Sequence, residues 1–190
     1  MSKLVLKNRR LAASNSKWRV YLDHIVDGRG NEVEDYLVVE GHFPFARKVT
    51  GVGILPIVDE KFVMFRSYRH TIGEEIWELP RGMMDENETA ETAALRELAE
   101  ETALSCRLEH LVPLGSYIPD PGTMAARAEL FAATHCSGTP RLPSDEMGLN
   151  RLALIDQAEF GRMVARGEIE DAATLIAYYR YRALTGGAGG

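Results

Sequence analysis

Residues Gly82–Leu104 read GMMDENETAETAALRELAEETAL, and the spacing of the charges in this stretch decides how the chain is read. Ala, Leu and Glu dominate Thr89 to Ala103, which predicts a helix whose narrow apolar side carries Leu95, Leu98 and Thr102. At about 100° per residue, Glu97 and Glu101 stand roughly 40° apart, with Glu100 roughly 60° to the other side of Glu97. Three carboxylates therefore share a wedge about 100° wide, although like charges at this spacing each cost a few tenths of a kcal/mol. Two readings follow from geometry alone. The face is a solvated acidic surface, or it holds a hard divalent cation such as Mg²⁺, which takes oxygen ligands.

Upstream, Trp18 to Val26 (WRVYLDHIV) alternates apolar and polar residues and Asp35 to Glu40 (DYLVVE) follows a turn cluster, Asp27 to Asn31. This predicts an N-terminal hairpin. Gly51 to Val58 and Lys61 to Tyr68 predict a second strand pair around Asp59-Glu60, and Pro80 and Gly82 are read as the stop of the strand before the helix. Downstream, Leu108 to Tyr117, Ala128 to Thr134 and Asn150 to Ile155 are strand candidates. Asp156-x-x-Glu159 resembles a capping box opening a helix through Ala165, with Gly167 as its stop. A last helix begins at Glu170 or Asp171 and runs through Leu184, and the closing GGAGG reads as a tail. Strands on both sides of a helix, with helices at the end, predict an α/β or α+β class.

The 190 residues and 45% apolar content suit one ordinary domain with an appended element. A net charge of −6, with no basic run beyond a pair such as Arg9-Arg10, argues against nucleic-acid backbone binding. A bound cation can still invert the local sign for a nucleotide substrate. Cys106 and Cys136 lie far apart in sequence and form no CxxC pair, which argues against a thiolate metal site or a disulfide framework. No secretion signal or membrane-length apolar run is present, so a cytoplasmic protein with no membrane partner is expected.

The order Gly82, five residues, Glu88, seven residues, Arg96-Glu97-Leu98-x-Glu100-Glu101 resembles the signature of the Nudix hydrolases, G-x5-E-x7-R-E-U-x-E-E-x-G-U with U aliphatic. Every charged position matches, and Leu98 and Leu104 fill the aliphatic slots. Ala103 stands where the pattern has glycine, which bears on how the helix ends because Ala is costlier than Gly in a left-handed cap. The resemblance implies an α/β/α sandwich with a mixed sheet and metal-assisted hydrolysis of a nucleoside diphosphate linked to another moiety. It implies Glu97 and Glu101 as metal ligands and Glu100 as a ligand or close neighbour. Gly82, Glu88 and Arg96 would be structural parts of the box, with a Glu88–Arg96 ion pair orienting Glu97.

Phe65 to Gly82 (FRSYRHTIGEEIWELPRG) resembles the "QYR … ELPAG" stretch of the ADP-ribose pyrophosphatase branch, with Ser67 in place of Gln and Arg81 in place of Ala. The resemblance implies that Arg69 and Glu78 bind substrate and that the Arg81 carbonyl binds metal; the Arg81 side chain either contacts phosphate, alters specificity or meets solvent. Pro119-Asp120-Pro121-Gly122 and the run Gly167 to Thr174 (GEIEDAAT) add to the likeness. The branch implies Mg²⁺, with Mn²⁺ as the alternative, and a homodimer built through the N-terminal strands. The expected domains are an N-terminal strand-rich extension, 1–45, a Nudix hydrolase domain, 46–184, and a tail, 185–190. Phe43 or Phe45 either stacks on a nucleobase or is a buried hydrophobe. The general base implied by the branch comes from a late loop, here Pro143 to Asn150, where alignment favours Glu146 over Asp145; Glu100 is the competing base.

The expected reaction is hydrolysis of ADP-ribose to AMP and ribose 5-phosphate. Two alternatives stand beside it: another nucleoside diphosphate sugar (a GDP-hexose or ADP-glucose) or NADH as substrate, and a catalytically inactive nucleotide sensor. Retention of Glu88, Glu97, Glu100 and Glu101 counts against the last.

Overall fold

The computed structural model describes residues 3–42, 49–143 and 147–186. The chain divides into two units: 1–50 with 118–127, and 51–117 with 128–190.

The first unit is a three-stranded antiparallel sheet in the order β1 (Val5–Ser14), β2 (Trp18–Val26), β3 (Glu32–Gly41). The sequence predicts a hairpin; β1 is an additional strand, too polar and too exposed along its whole length to announce itself by alternation. Arg9 clamps the sheet by two hydrogen bonds of 2.8 Å to the buried Asp23 while its guanidinium covers the Tyr21 ring at 4.6 Å. The loop Pro119 to Gly122 belongs to this unit. Tyr36 donates to the Gly122 carbonyl at 2.8 Å, and Val39 bonds through its own N–H to Thr123 O and through its carbonyl to Ala125 N, each at 2.8 Å.

The second unit contains strands β4 (Val49–Val58), β5 (Lys61–Arg69), β6 (Glu74–Glu78), β7 (Arg81–Met83), β8 (Leu111–Tyr117), β9 (Arg127–Ala133) and β10 (Leu149–Asp156). Its order is β10-β5-β4-β9-β8, with β6 on β5 and β7 on β4. Asp59 and Glu60 both take positive φ to close the two-residue turn between β4 and β5. Beside that turn the two strands pair through Ile57–Phe62 and Val58–Lys61. Farther along, β6 takes the edge of β5 from Phe65 to Arg69, and β7 takes β4 at Gly51 to Gly53. The chain crosses between these two edges at Glu78–Arg81, and there the candidate site lies.

Among the described residues three α-helices cover the sheet: α1 (Ala90–Thr102), α2 (Gln157–Ala165) and α3 (Ala172–Leu184). Alternation along the strands assigns them to opposite faces. Leu55, Ile57, Phe62, Met64, Leu130 and Ala132 form one core with Phe160 and Met163 of α2 and Ala173, Ala177 and Tyr178 of α3. The intervening residues Ile54, Val63, Phe65, Phe131 and Ala133 are buried outside that core, as are Ala93, Ala94 and Leu98 of α1. The unit is thus the expected α/β/α sandwich. Phe62 and Phe160 meet edge to face at 5.2 Å, and each such buried ring contributes about 1.5–3 kcal/mol by leaving water.

Local expectations fail at two points. Gly82 lies inside β7 rather than ending a strand. The Asp156/Glu159 capping box does not form: Asp156 makes no side-chain cap, and Glu159 instead binds Arg162 and Arg166. Among the described residues no helix is long and apolar enough to cross a membrane.

Candidate active site

The helix α1 starts at Thr89, whose hydroxyl oxygen accepts the Thr92 N–H at 3.2 Å. Its buried side is Ala93, Ala94, Glu97, Leu98, Glu101 and Thr102, while Leu95, expected on that side, is half-buried. Two carboxylates therefore point inward, Glu97 at 9% exposure and Glu101 at 7%. Glu100 separates from them, with its side chain 59% exposed. Burying a carboxylate is costly unless it is paired, so the partners matter.

Arg96 supplies several of them. It donates from Nε and Nη2 to the two oxygens of Glu88 at 3.0 and 2.9 Å, from Nη1 to Glu97 Oε1 at 2.8 Å and Glu100 Oε2 at 3.1 Å, and from Nη2 to the Met83 carbonyl at 3.0 Å. These bonds hold the Glu88 carboxyl below the usual carboxylate range and the Arg96 guanidinium far above its ordinary value, Glu88 acting first and Glu97 next. Glu101 Oε2 accepts the backbone N–H of Arg81 at 2.8 Å.

The β7 backbone lies directly against these groups. A Cβ on Gly82 would stand 1.9 Å from Glu97 Oε1 and 2.3 Å from Oε2, inside any permitted contact. Only glycine leaves the Glu97 carboxylate where it is. Among the described residues no three acidic, histidine or cysteine side chains already converge as a metal cage. The donor set nonetheless suits a hard divalent cation. Glu97, Glu101 and the outer Glu100 offer carboxylate oxygen, and the Arg81 carbonyl lies on the same short strand as the Gly82 that abuts Glu97.

A second cluster begins at Glu78, which is 1% exposed. Arg69 binds it through Nε at 3.0 Å and through Nη2, and Arg81 binds it through Nη2. Arg81 also donates from Nη1 to Asp171 Oδ1 at 2.8 Å. Asp171 caps α3 by accepting the Thr174 N–H at 3.0 Å and hydroxyl at 2.7 Å, and the same hydroxyl accepts the Leu79 N–H at 3.0 Å. The Arg81 side chain, expected to contact phosphate, alter specificity or meet solvent, instead ion-pairs the β6–β7 bend with the start of α3. Tyr117 borders it: burial raises the phenol, and Arg81 opposes that rise.

The structure thus brings Gly82, Glu88, Arg96, Glu97, Glu100, Glu101 and Arg81 together, and joins Arg69 and Glu78 to Arg81. Asp171, Thr174 and Tyr117 were missed as members of the cluster. Asp171 and Thr174 stood in the GEIEDAAT run, read only as the opening of a helix; nothing local marked Tyr117. Ser67, at the position of the branch's Gln, is buried and its hydroxyl has no partner among the described residues. Asp145, Glu146, Phe43 and Phe45 lie outside the described residues.

Comparison with known proteins finds a family and several relatives. The model of the NUDIX domain matches residues 47–172. An ADP-ribose pyrophosphatase of Mycobacterium tuberculosis (strain ATCC 25618 / H37Rv) is 30% identical over 125 residues, 65% of this chain and 60% of that protein. A methanol dehydrogenase activator of Bacillus methanolicus is 31% identical over 131 residues, 66% of this chain and 68% of that one. A solved structure described as an ADP compounds hydrolase superposes with a TM-score of 0.80 at 20% identity, covering 98% of this chain and 96% of that one; at that identity the likeness is one of fold.

Proposed function

Because the chain belongs to the NUDIX family, we propose that it is a metal-dependent hydrolase of ADP-ribose, releasing AMP and ribose 5-phosphate. The observation that carries this reading is the pair of buried carboxylates, Glu97 and Glu101, held against the β7 backbone and braced by Glu88–Arg96. Glu97, Glu101, Glu100 and the Arg81 carbonyl would hold Mg²⁺, or Mn²⁺ in its place. Such an ion, when bound, neutralises the pyrophosphate oxygens and makes a bound water a better nucleophile.

The remaining work falls to the chain's own residues. Arg69, whose side chain is 43% exposed, anchors a phosphate oxygen by charge-assisted hydrogen bonds, and Glu78 sets the direction of that guanidinium. The water oxygen bonds to one phosphorus as the bond from that phosphorus to the bridging oxygen breaks. Glu146 takes the water's proton, with Glu100 the competing base. Arg96 fixes Glu97 throughout.

A second reading, hydrolysis of another nucleoside diphosphate sugar or of NADH, draws on Arg81. Its guanidinium lies beside Glu78 and Asp171, where the ADP-ribose branch has alanine, so this wall of the site differs from that branch's. The extension 1–45 serves a homodimer in this proposal, supported by the exposed Leu4, Leu6, Leu11, Val33 and Leu37, with 46–184 as the hydrolase domain in the cytoplasm and 185–190 as a tail.

Product analysis after incubation with ADP-ribose, ADP-glucose, GDP-mannose and NADH, with and without Mg²⁺, tests both readings. Magnesium-dependent AMP from ADP-ribose ahead of the others supports the first. Preference for another substrate supports the second. Absence of cleavage from all four, with a thermal shift on adding nucleotide, favours a sensor.

A further inference from the structure

Cys106 and Cys136 lie far apart in sequence, a spacing that argues against a disulfide framework, but the fold brings their segments together. Ser105 and Ser137 form an isolated antiparallel bridge and exchange both backbone hydrogen bonds, each at 2.9 Å. Cys106 follows one member of this bridge and Cys136 precedes the other, so the two residues flank the bridge on the same side; in a regular antiparallel ladder Cα atoms at such a position are about 4.5 Å apart. That separation is within the range a disulfide spans, about 4.4–6.8 Å. The two thiols act on each other's ionisation, and each donates to a main-chain carbonyl, Cys106 to Thr134 and Cys136 to Ala133. Both are free thiols in this structure.

The pair stands at the exit of α1. Ala103 takes φ +57° to end the helix, Arg141 N–H reaches back to the Thr102 carbonyl at 3.0 Å, and Gly138 packs so closely that a Cβ there would lie 3.0 Å from the Ala103 carbonyl. The segment 136–141 thus wraps the end of the helix that carries Glu97 and Glu101.

We propose that Cys106 and Cys136 form a reversible dithiol–disulfide site that staples the exit of α1 to the segment after β9. The oxidant is a small-molecule disulfide. Cys106 loses its proton and attacks one sulfur of that disulfide, whose S–S bond breaks to release one thiolate. Cys136 then loses its proton and attacks Cys106 Sγ, expelling the second thiolate. The two protein thiols lose two electrons, and the small disulfide is reduced to two thiols. Burial raises both thiols, Cys136 to about 12, so the reaction is slow at neutral pH and speeds up as pH rises.

The test uses the full chain, reduced, freed of reductant and incubated with excess oxidised glutathione. Intact-mass measurement is expected to show loss of two hydrogen atoms, and digestion without reductant to yield one cross-linked peptide containing Cys106 and Cys136. The oxidised protein melts higher by roughly 5–10 °C, and dithiothreitol reverses both changes. Cys136→Ser is expected to stop at one glutathione adduct on Cys106. Adducts on both cysteines with no cross-link, no reaction in the folded chain when the urea-unfolded chain reacts, or a cross-link that lowers the melting temperature would overturn the proposal.

Discussion

Replacing Gly82 with alanine separates catalytic geometry from stability more cleanly than deleting a carboxylate. The new methyl carbon would fall 1.9 Å from Glu97 Oε1 and 2.0 Å from its carboxyl carbon. Contacts under 3.0 Å essentially never occur, so the carboxylate must retreat by about 1 Å or more. The atoms that give way are the end of a flexible side chain, which puts the stability cost at the low end of overpacking, about 1 kcal/mol. A protein of this size then melts roughly 2–4 °C lower. The displaced group is, however, the one proposed to hold metal. A misplacement of about 1 Å in a reacting constellation costs on the order of 10²-fold in rate, or about 2.7 kcal/mol on the barrier. Steady-state turnover across a Mg²⁺ titration, beside a melting curve, reads both effects. A folded Gly82→Ala protein with wild-type turnover and unchanged metal dependence would refute the argument that the β7 backbone positions Glu97.

Glu97→Gln and Glu101→Gln are each expected to lower turnover by orders of magnitude with the circular dichroism spectrum unchanged; near-normal rates in both would reject the metal-site reading. Glu146→Gln should reduce turnover and spare substrate binding measured by calorimetry, and the same result from Asp145→Asn alone would move the base to Asp145. Ala103→Gly removes a side chain from a left-handed cap and should stabilise the protein by about 1 kcal/mol, read as a melting temperature roughly 2–4 °C higher. Because Arg96 lowers the Glu88 carboxyl in the folded state, the stability from that pair is present above the unfolded carboxylate's pKa and lost as pH falls through the lowered folded value. Denaturation curves from about pH 5 downward should therefore depend less steeply on pH in Glu88→Gln than in the wild type; equal slopes would remove Glu88 from the acid response.

The site was legible wherever its members shared one helix or one short run. Glu97, Glu100 and Glu101 fall within a turn and a half, and helical periodicity is local, so their common side could be read directly. The Glu88–Arg96 pairing was legible through the spacing of the motif. Asp171 and Tyr117 were not, because they reach Arg81 only after α3 packs on the sheet and β8 joins it. Glu159 misled for a related reason: its spacing from Asp156 fits a capping box, but Arg162 and Arg166 offer full charges that outcompete a neutral backbone N–H.

The sequence alone determined that a helix would form between Thr89 and Ala103 and that carboxylates would crowd one side of it; the left-handed turn at Ala103 that ends it was found in the structure. Only the tertiary structure decided which carboxylates turn inward. Glu97 and Glu101 are buried because the β7 backbone at Arg81 and Gly82 closes over them, and Glu100 is left to solvent because nothing comparable covers it. The same holds for Cys106 and Cys136, whose pairing rests on the register between two segments the chain brings together from either end of β8 and β9. Periodicity is a property of neighbouring residues, whereas burial and cross-strand register depend on what the rest of the chain places opposite them.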